Sequence, residues 1–295
     1  MRIASDRWTP SGGRRRTTGT IEHGKFRTSW RRSESMLCVG LDPVVERFPP
    51  SIGSNSNAIR QFNREIIQAT MDFACAYKPN MGFYLPYGHD GLDALLAIRD
   101  DVPDHIPVLL DAKVGDIDST SEAYARAYFD AWGFDGVTAH AYLGHDSLAP
   151  LIEHEDRAVF VLAKTSNPGS GFLQDVEINS QPVSEHVAAA ASGWNAHGNI
   201  GLVVGATYPD QLRSIRSIVG DMPILVPGVG AQSGDLAGAV AAGIDSSGYG
   251  LLINASRSIS YASQDSDFAD AARMAASTLR DQIEDARSQA ILQTA

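Results

Sequence analysis

From Met36 onward the apolar positions of this chain recur in one repeating unit. A short apolar run meets a polar or Gly-containing turn, and apolar residues at helical spacing follow. The runs predict strands over Met36–Leu41, Ala74–Lys78, Pro107–Asp111, Gly136–Ala139, Ala158–Ala163, Ile200–Val204, Ile224–Val226 and Gly250–Ile253. Helical spacing predicts helices near Ala58–Met71, Gly91–Asp101, Ser121–Trp132, Ser147–His154, Val183–His197, Tyr208–Val219 and Ser233–Ala241. A last amphipathic segment, Ser266–Ala286, puts Phe268, Ala272, Ala275, Leu279 and Ile283 on one face. Strands alternating with helices mean a parallel sheet, and eight such units mean an α/β chain folded as a single (β/α)8 TIM barrel. An open doubly wound sheet is the alternative; no G-x-G-x-x-G opening follows the first strand to support it.

Residues 1–34 break this pattern. Arg14-Arg15-Arg16 and Arg31-Arg32 stand among Gly, Ser and Thr with few apolar residues. The segment reads as a basic, flexible head, with Phe26–Arg32 a short lead-in helix and residues 35–295 the barrel domain. It has no apolar h-region for secretion; an Arg-rich, acid-poor transit peptide is the alternative. The formal charge of −11 argues against nucleic-acid binding and leaves room for a local cationic pocket. The two cysteines, Cys38 and Cys75, lie in apolar runs and are too few for a disulfide framework. With no stretch long enough to span a membrane, they point to a cytoplasmic protein.

A barrel of this type keeps its chemistry at the C-terminal ends of its strands. Collected there are Asp42, Lys78, Asn80, Asp111, Lys113, Asp116, His140, Lys164, Thr165, Ser166, Asn167, Gly228, Gly230, Gln232, Asn254, Ser256 and Arg257. The centre is Leu109–Tyr124, LLDAKVGDIDSTSEAY. Strand alternation points Asp111 and Lys113 to one side, Asp116 follows Gly115, and Ser119-x-x-Glu122 reads as a capping box. A lysine between two carboxylates is held protonated. That suits a proton donor or a counter-charge to a carbanion and excludes a Schiff-base lysine, which must be neutral to attack. After the seventh run, Pro227–Gly234 is glycine-rich and precedes a helix. With Arg257 after the eighth, it reads as a phosphate site. The connection from Ser166 to the next helix is long enough for a lid.

The motifs VGLDP, YKPN, LLDAKVGDIDST, SNPG, VPGVGAQSGD and NASRSISYA resemble, in order, those of the orotidine 5′-phosphate decarboxylase family, in its bacterial long-chain, type 2-like branch. The resemblance runs from about Ser35 to about Ala262. It implies release of carbon dioxide from orotidine 5′-phosphate to give UMP, the last step of de novo pyrimidine biosynthesis, without metal or cofactor. Lys113 would protonate C6, Asp111 would sit beside the substrate carboxylate, and Lys78 would complete the charge network. Asp116, with Thr120, would reach the partner's site in a homodimer with shared active sites. Asp42 would bind ribose hydroxyls, Ser166 the pyrimidine, and Gln232 both pyrimidine and phosphate. Arg257 and the Gly228–Gly230 backbone would hold the phosphate. Leu85 stands where an acidic residue is expected, and His140-Ala141 where Asn-Pro is more usual. The alternatives are a Mg²⁺-dependent sister barrel acting on a keto-sugar phosphate, and a non-catalytic nucleotide-binding barrel.

Overall fold

The computed structural model describes residues 24–53, 56–207, 209–228 and 235–294. Eight parallel strands form its centre: β1 (Leu37–Leu41), β2 (Ala76–Pro79), β3 (Leu109–Val114), β4 (Gly136–His140), β5 (Ala158–Lys164), β6 (Ile200–Val204), β7 (Ile224–Pro227) and β8 (Leu251–Ala255). Their hydrogen-bonded order is β2-β1-β8-β7-β6-β5-β4-β3. Bridges Tyr77–Val108 and Asn80–Asp111 join the two ends, so the sheet closes. The longer helices are α1 (Lys25–Ser33), α2 (Ser56–Thr70), α3 (Gly88–Asp101), α4 (Asp118–Ala125), α5 (His145–Ile152), α6 (Val183–Trp194), α7 (Pro209–Val219), α8 (Leu236–Gly243) and α9 (Phe268–Thr294). This is the predicted (β/α)8 barrel. The strands are apolar on both faces because one face fills the barrel and the other meets the helices. Among the described residues, no helix is long and apolar enough to cross a membrane.

Boundaries depart from the sequence reading where tertiary contacts decide them. The third strand runs on to Val114, so Lys113 lies within the strand and not beyond it. The last helix extends to Thr294. The capping box is not formed. Ile117 holds the N-cap position of α4 with no side-chain cap bond, and Asp118 enters the helix with φ 46°. Ser119 therefore sits inside the first turn, where its hydroxyl cannot cap. Ser121 binds this junction instead, its Oγ 2.7 Å from the carbonyl oxygens of both Asp116 and Ser147.

The lead-in helix is present as α1, and it packs on the barrel. Phe26 and Trp30 are buried, and Phe26 meets Phe160 of β5 edge-on at 5.4 Å between centroids. Ser29 donates to the Cys75 carbonyl at 2.6 Å. Lys25 donates to Asp135 at 2.7 Å, and Asp135 also accepts from Arg99 at 2.9 Å. Cys75 and Asp135 immediately precede β2 and β4, so α1 covers the N-terminal end of the barrel, opposite the mouth. That end serves stability. Truncating Phe26 to Ala should cost about 3–5 kcal/mol in urea denaturation, the usual loss for a buried phenylalanine. A loss below about 1 kcal/mol would mean that α1 is not part of the folded core.

Candidate active site

The mouth is built from β3 outward. Two lysines converge on one carboxylate: Lys78 Nζ donates to Asp111 Oδ2 at 2.9 Å and Lys113 Nζ to Oδ1 at 2.6 Å. Lys78 and Asp111 are buried, whereas the Lys113 side chain is 48% exposed and faces the mouth. Asp111 Oδ1 also accepts from Thr138 Oγ1 at 2.8 Å. Thr138 in turn accepts the Lys113 backbone N–H at 2.9 Å. The β3–β4 register shifts between Leu110 and Val114, and Lys113 has φ 50°. Left-handed backbone at a non-glycine costs of order 1–3 kcal/mol and collects at functional sites.

Burial alone would lower the Lys78 pKa, but the carboxylates of Asp42 and Asp111 more than reverse this and hold it above the usual lysine range. Burial alone would raise the Asp111 carboxyl, and the lysines Lys78 and Lys113 pull it well below the usual carboxylate range. Lys78 and Asp111 are therefore both ionised at neutral pH, and the carboxylate lies between the two lysine side chains. Cys38, beside it, is pushed by burial up to about 12 and is inert. Both cysteines are buried and unpaired, as expected.

The other predicted residues are placed as follows. Asp42, after β1, is half-buried and its Oδ1 accepts the Asn80 N–H at 3.2 Å. Tyr261 braces the same loop, accepting the Val44 N–H at 2.6 Å and donating to the Asp42 carbonyl at 3.3 Å. Asp116 is half-buried and its Oδ1 accepts the N–H of Ile117 at 2.9 Å. It does not join the lysine pair, and Thr120 beside it is exposed. Gly115 is needed for close approach, since a Cβ there would lie 2.2 Å from the His140 ring. Ser166 is half-buried against Gly205, where a Cβ would lie 2.9 Å from its own. Gly228 ends β7 with φ 98°. Gly230 and Gln232 lie outside the described residues. Arg257 is exposed and opens a helical turn directly after β8. Around the ring β7 lies four strands from β3 by either route, β3-β2-β1-β8-β7 or β3-β4-β5-β6-β7. Gly228, which follows β7, therefore lies across the mouth from the lysine pair.

The long connection after β5 is ordered by local structure. It holds helical turns at Pro168–Ser170 and Gly171–Gln174, then a small antiparallel ladder of Glu177–Ile178 with Gln181–Pro182. Lys164, collected with the rim residues, is fully buried and ties this loop from below. Its Nζ donates to Ser170 at 3.0 Å and to Asp175 at 2.7 Å. Gln174 closes the turn on Thr165, accepting its N–H at 2.8 Å. Thr138 escaped the sequence reading altogether. The only signal was one polar residue inside the apolar run GVTAH. Among the described residues, no group of three or more His, Cys, Asp or Glu side chains is placed to hold a metal ion.

A family profile described as orotidine 5′-phosphate decarboxylase / HUMPS matches residues 35–272. The chain belongs to that family. An orotidine 5′-phosphate decarboxylase of Thermomicrobium roseum is 51% identical over 261 residues, 88% of this chain and 93% of that protein. Another, from Ralstonia nicotianae, is 47% identical over 262 residues, 88% of this chain and 97% of that one. The solved structure of Leishmania donovani OMP decarboxylase superposes with a TM-score of 0.80 at 38% identity, over 90% of this chain and 99% of that one. Within the family barrel, the carboxylate between two lysines is the feature whose loss should be felt most. Asp111→Ala leaves Lys78 buried without its partner and should cost about 3–5 kcal/mol at neutral pH in thermal or urea melts. The folded carboxyl titrates below its unfolded range, so this stabilisation is present above the unfolded value and lost as pH falls through the folded one. The gap between wild type and variant should then narrow below about pH 4. A gap that is small, or that does not shrink in acid, contradicts the ionised pair.

Proposed function

We propose that the chain decarboxylates orotidine 5′-phosphate to UMP and carbon dioxide, the last step of de novo pyrimidine biosynthesis, in the cytoplasm and without metal or cofactor. The observation that carries this reading is Lys113 Nζ at 2.6 Å from a buried Asp111 that Lys78 holds from the other side. The curated relatives at 45–51% identity all bear the name of this activity. The family description also spans sister barrels, and a keto-sugar phosphate is the second reading. It requires a metal, which separates the two by experiment.

The chemistry follows from the charges. The C6–carboxylate bond breaks, carbon dioxide leaves, and the electron pair stays on C6 as a vinyl-type carbanion that the ring cannot readily delocalise. The Lys113 ammonium offsets that charge and then donates its proton to C6; water restores the lysine. Asp111 holds the lysine in place and repels the substrate carboxylate, a repulsion relieved as carbon dioxide departs. A preorganised charge in a closed site is the largest single source of such stabilisation. The Gly228–Gly230 backbone, Gln232 and Arg257 hold the phosphate. Binding energy gained there can be used to close the loops and assemble the charges. Asp42 takes the ribose hydroxyls and Ser166 the pyrimidine. Asp116 and Thr120 stand apart from the lysine pair, beside Ile117, which is 51% exposed. That placement supports a homodimer in which they complete the partner's site.

The test is turnover of orotidine 5′-phosphate by EDTA-treated protein, followed in the ultraviolet. Activity should persist without metal; no turnover, or turnover restored only by Mg²⁺, favours the sister reaction. Lys113→Ala should lower kcat by about 10³-fold or more and leave the fold intact, as expected for loss of a group that is both acid and counter-charge. Substantial remaining activity removes Lys113 from the chemistry. Arg257→Ala should weaken UMP binding about 10–100-fold in calorimetry, the value of charge-assisted hydrogen bonds to phosphate. Unchanged affinity removes Arg257 from the site.

A further inference from the structure

We propose that Thr138 is a positioning residue of this site, its hydroxyl fixing where the Lys113 ammonium stands relative to Asp111. The proposal rests on the decarboxylase reading above. Thr138 lies in the middle of β4, wholly enclosed at 1% exposure, and reaches no open space where a substrate could touch it.

A hydroxyl carries one proton and two lone pairs. Both of Thr138's bonds have their direction forced by the partner. The Lys113 backbone N–H can only donate, so it takes a lone pair at 2.9 Å. The ionised Asp111 carboxylate can only accept, so it takes the proton at 2.8 Å on Oδ1. That same Oδ1 receives Lys113 Nζ at 2.6 Å. The three residues therefore close a ring: Thr138 hydroxyl, Lys113 backbone, Lys113 ammonium, Asp111 oxygen, and back to the hydroxyl. Neither the carboxylate nor the lysine stem can turn without breaking a member of it.

The ring stands where the sheet supplies no support of its own. Strand pairing between β3 and β4 slips between Leu110 and Val114, so Lys113 has no partner in the β3–β4 register and its N–H goes to the Thr138 hydroxyl. Lys113 holds φ 50° there. Thr138 supplies the missing acceptor and so holds the backbone conformation from which the lysine side chain starts. A β-branched residue is stiff at χ1, which suits a hydroxyl that must hold one orientation. Serine would keep both bonds with less rigidity, and valine would keep the shape and lose both.

The experiment is steady-state kinetics with orotidine 5′-phosphate on Thr138→Val, Thr138→Ser and Lys113→Ala, with UMP affinity measured on each. Thr138→Val should lower kcat about 10–100-fold, the scale of a misplaced catalytic group. KM and UMP affinity should stay within about threefold of wild type, since the enclosed Thr138 does not itself reach the substrate. Thr138→Ser should recover most of kcat. A merely structural threonine would change the fraction of folded protein without this split between kcat and KM and without rescue by the hydroxyl. If Thr138→Val does not fold, Thr138→Cys, which keeps the volume with a weaker donor, should still lose about fivefold or more in kcat. Wild-type kcat in whichever of the two variants folds, beside an inactive Lys113→Ala, overturns the role of Thr138 alone. Turnover retained by Lys113→Ala removes Lys113, and with it the positioning role of Thr138, whereas no turnover by the wild-type protein overturns the decarboxylase reading itself.

Discussion

One carboxylate held between two ammonium groups is the constraint around which this barrel is arranged. Taking Lys78 and Asp111 out of water costs several kcal/mol per ion, and their attraction does little more than offset it. Stability alone would be served as well by apolar side chains of similar volume. What the arrangement provides is a lysine that is charged, fixed at its base and open at its tip. Lys113 is reached from the mouth, while the groups that orient it lie beneath, in the sealed layer of β2, β3 and β4. The register slip in β3 belongs to the same device. It turns Lys113 into left-handed backbone at a position where a regular strand would carry it straight on.

Closure of the sheet sets the other dimension of the site. Eight strands in a ring put β7 opposite β3, so the end of β7, where the proposed phosphate site begins, and the charge network are separated by the width of the mouth. A nucleotide monophosphate is a molecule of that form, with a reactive ring at one end and a phosphate at the other. The loop after β5 is tied from below by Lys164. Gly115 and Gly205 permit the close backbone approaches that bring Asp116 and Ser166 to the rim.

The pattern of the fold was legible because each unit carries its own period, and the eight strands fall within a few residues of their predicted places. The charged rim was legible because aspartate and lysine are rare at the end of apolar runs. What the sequence concealed depends on contacts between segments. LLDAKV reads as a regular strand, and only its pairing with β4 shows the slip at Lys113. Ser119 and Glu122 have capping spacing, but the chain enters α4 two residues earlier, with Ile117 as the N-cap and Asp118 as the first helical residue. Lys164 looks like one more rim cation, and burial together with Ser170 and Asp175 makes it an anchor. The basic head hides an amphipathic helix whose Phe26 and Trp30 find their partners only at the closed end of the barrel.

The central claim is that Lys113 passes a proton to and from C6 of the bound pyrimidine. Its most direct measure is exchange of the C6 hydrogen of UMP with solvent deuterium, followed by NMR in D₂O. By microscopic reversibility, the wild-type protein should wash deuterium into C6 at a rate above that of free UMP, and Lys113→Ala should not. Exchange that is absent in the wild type, or undiminished without Lys113, would contradict the account.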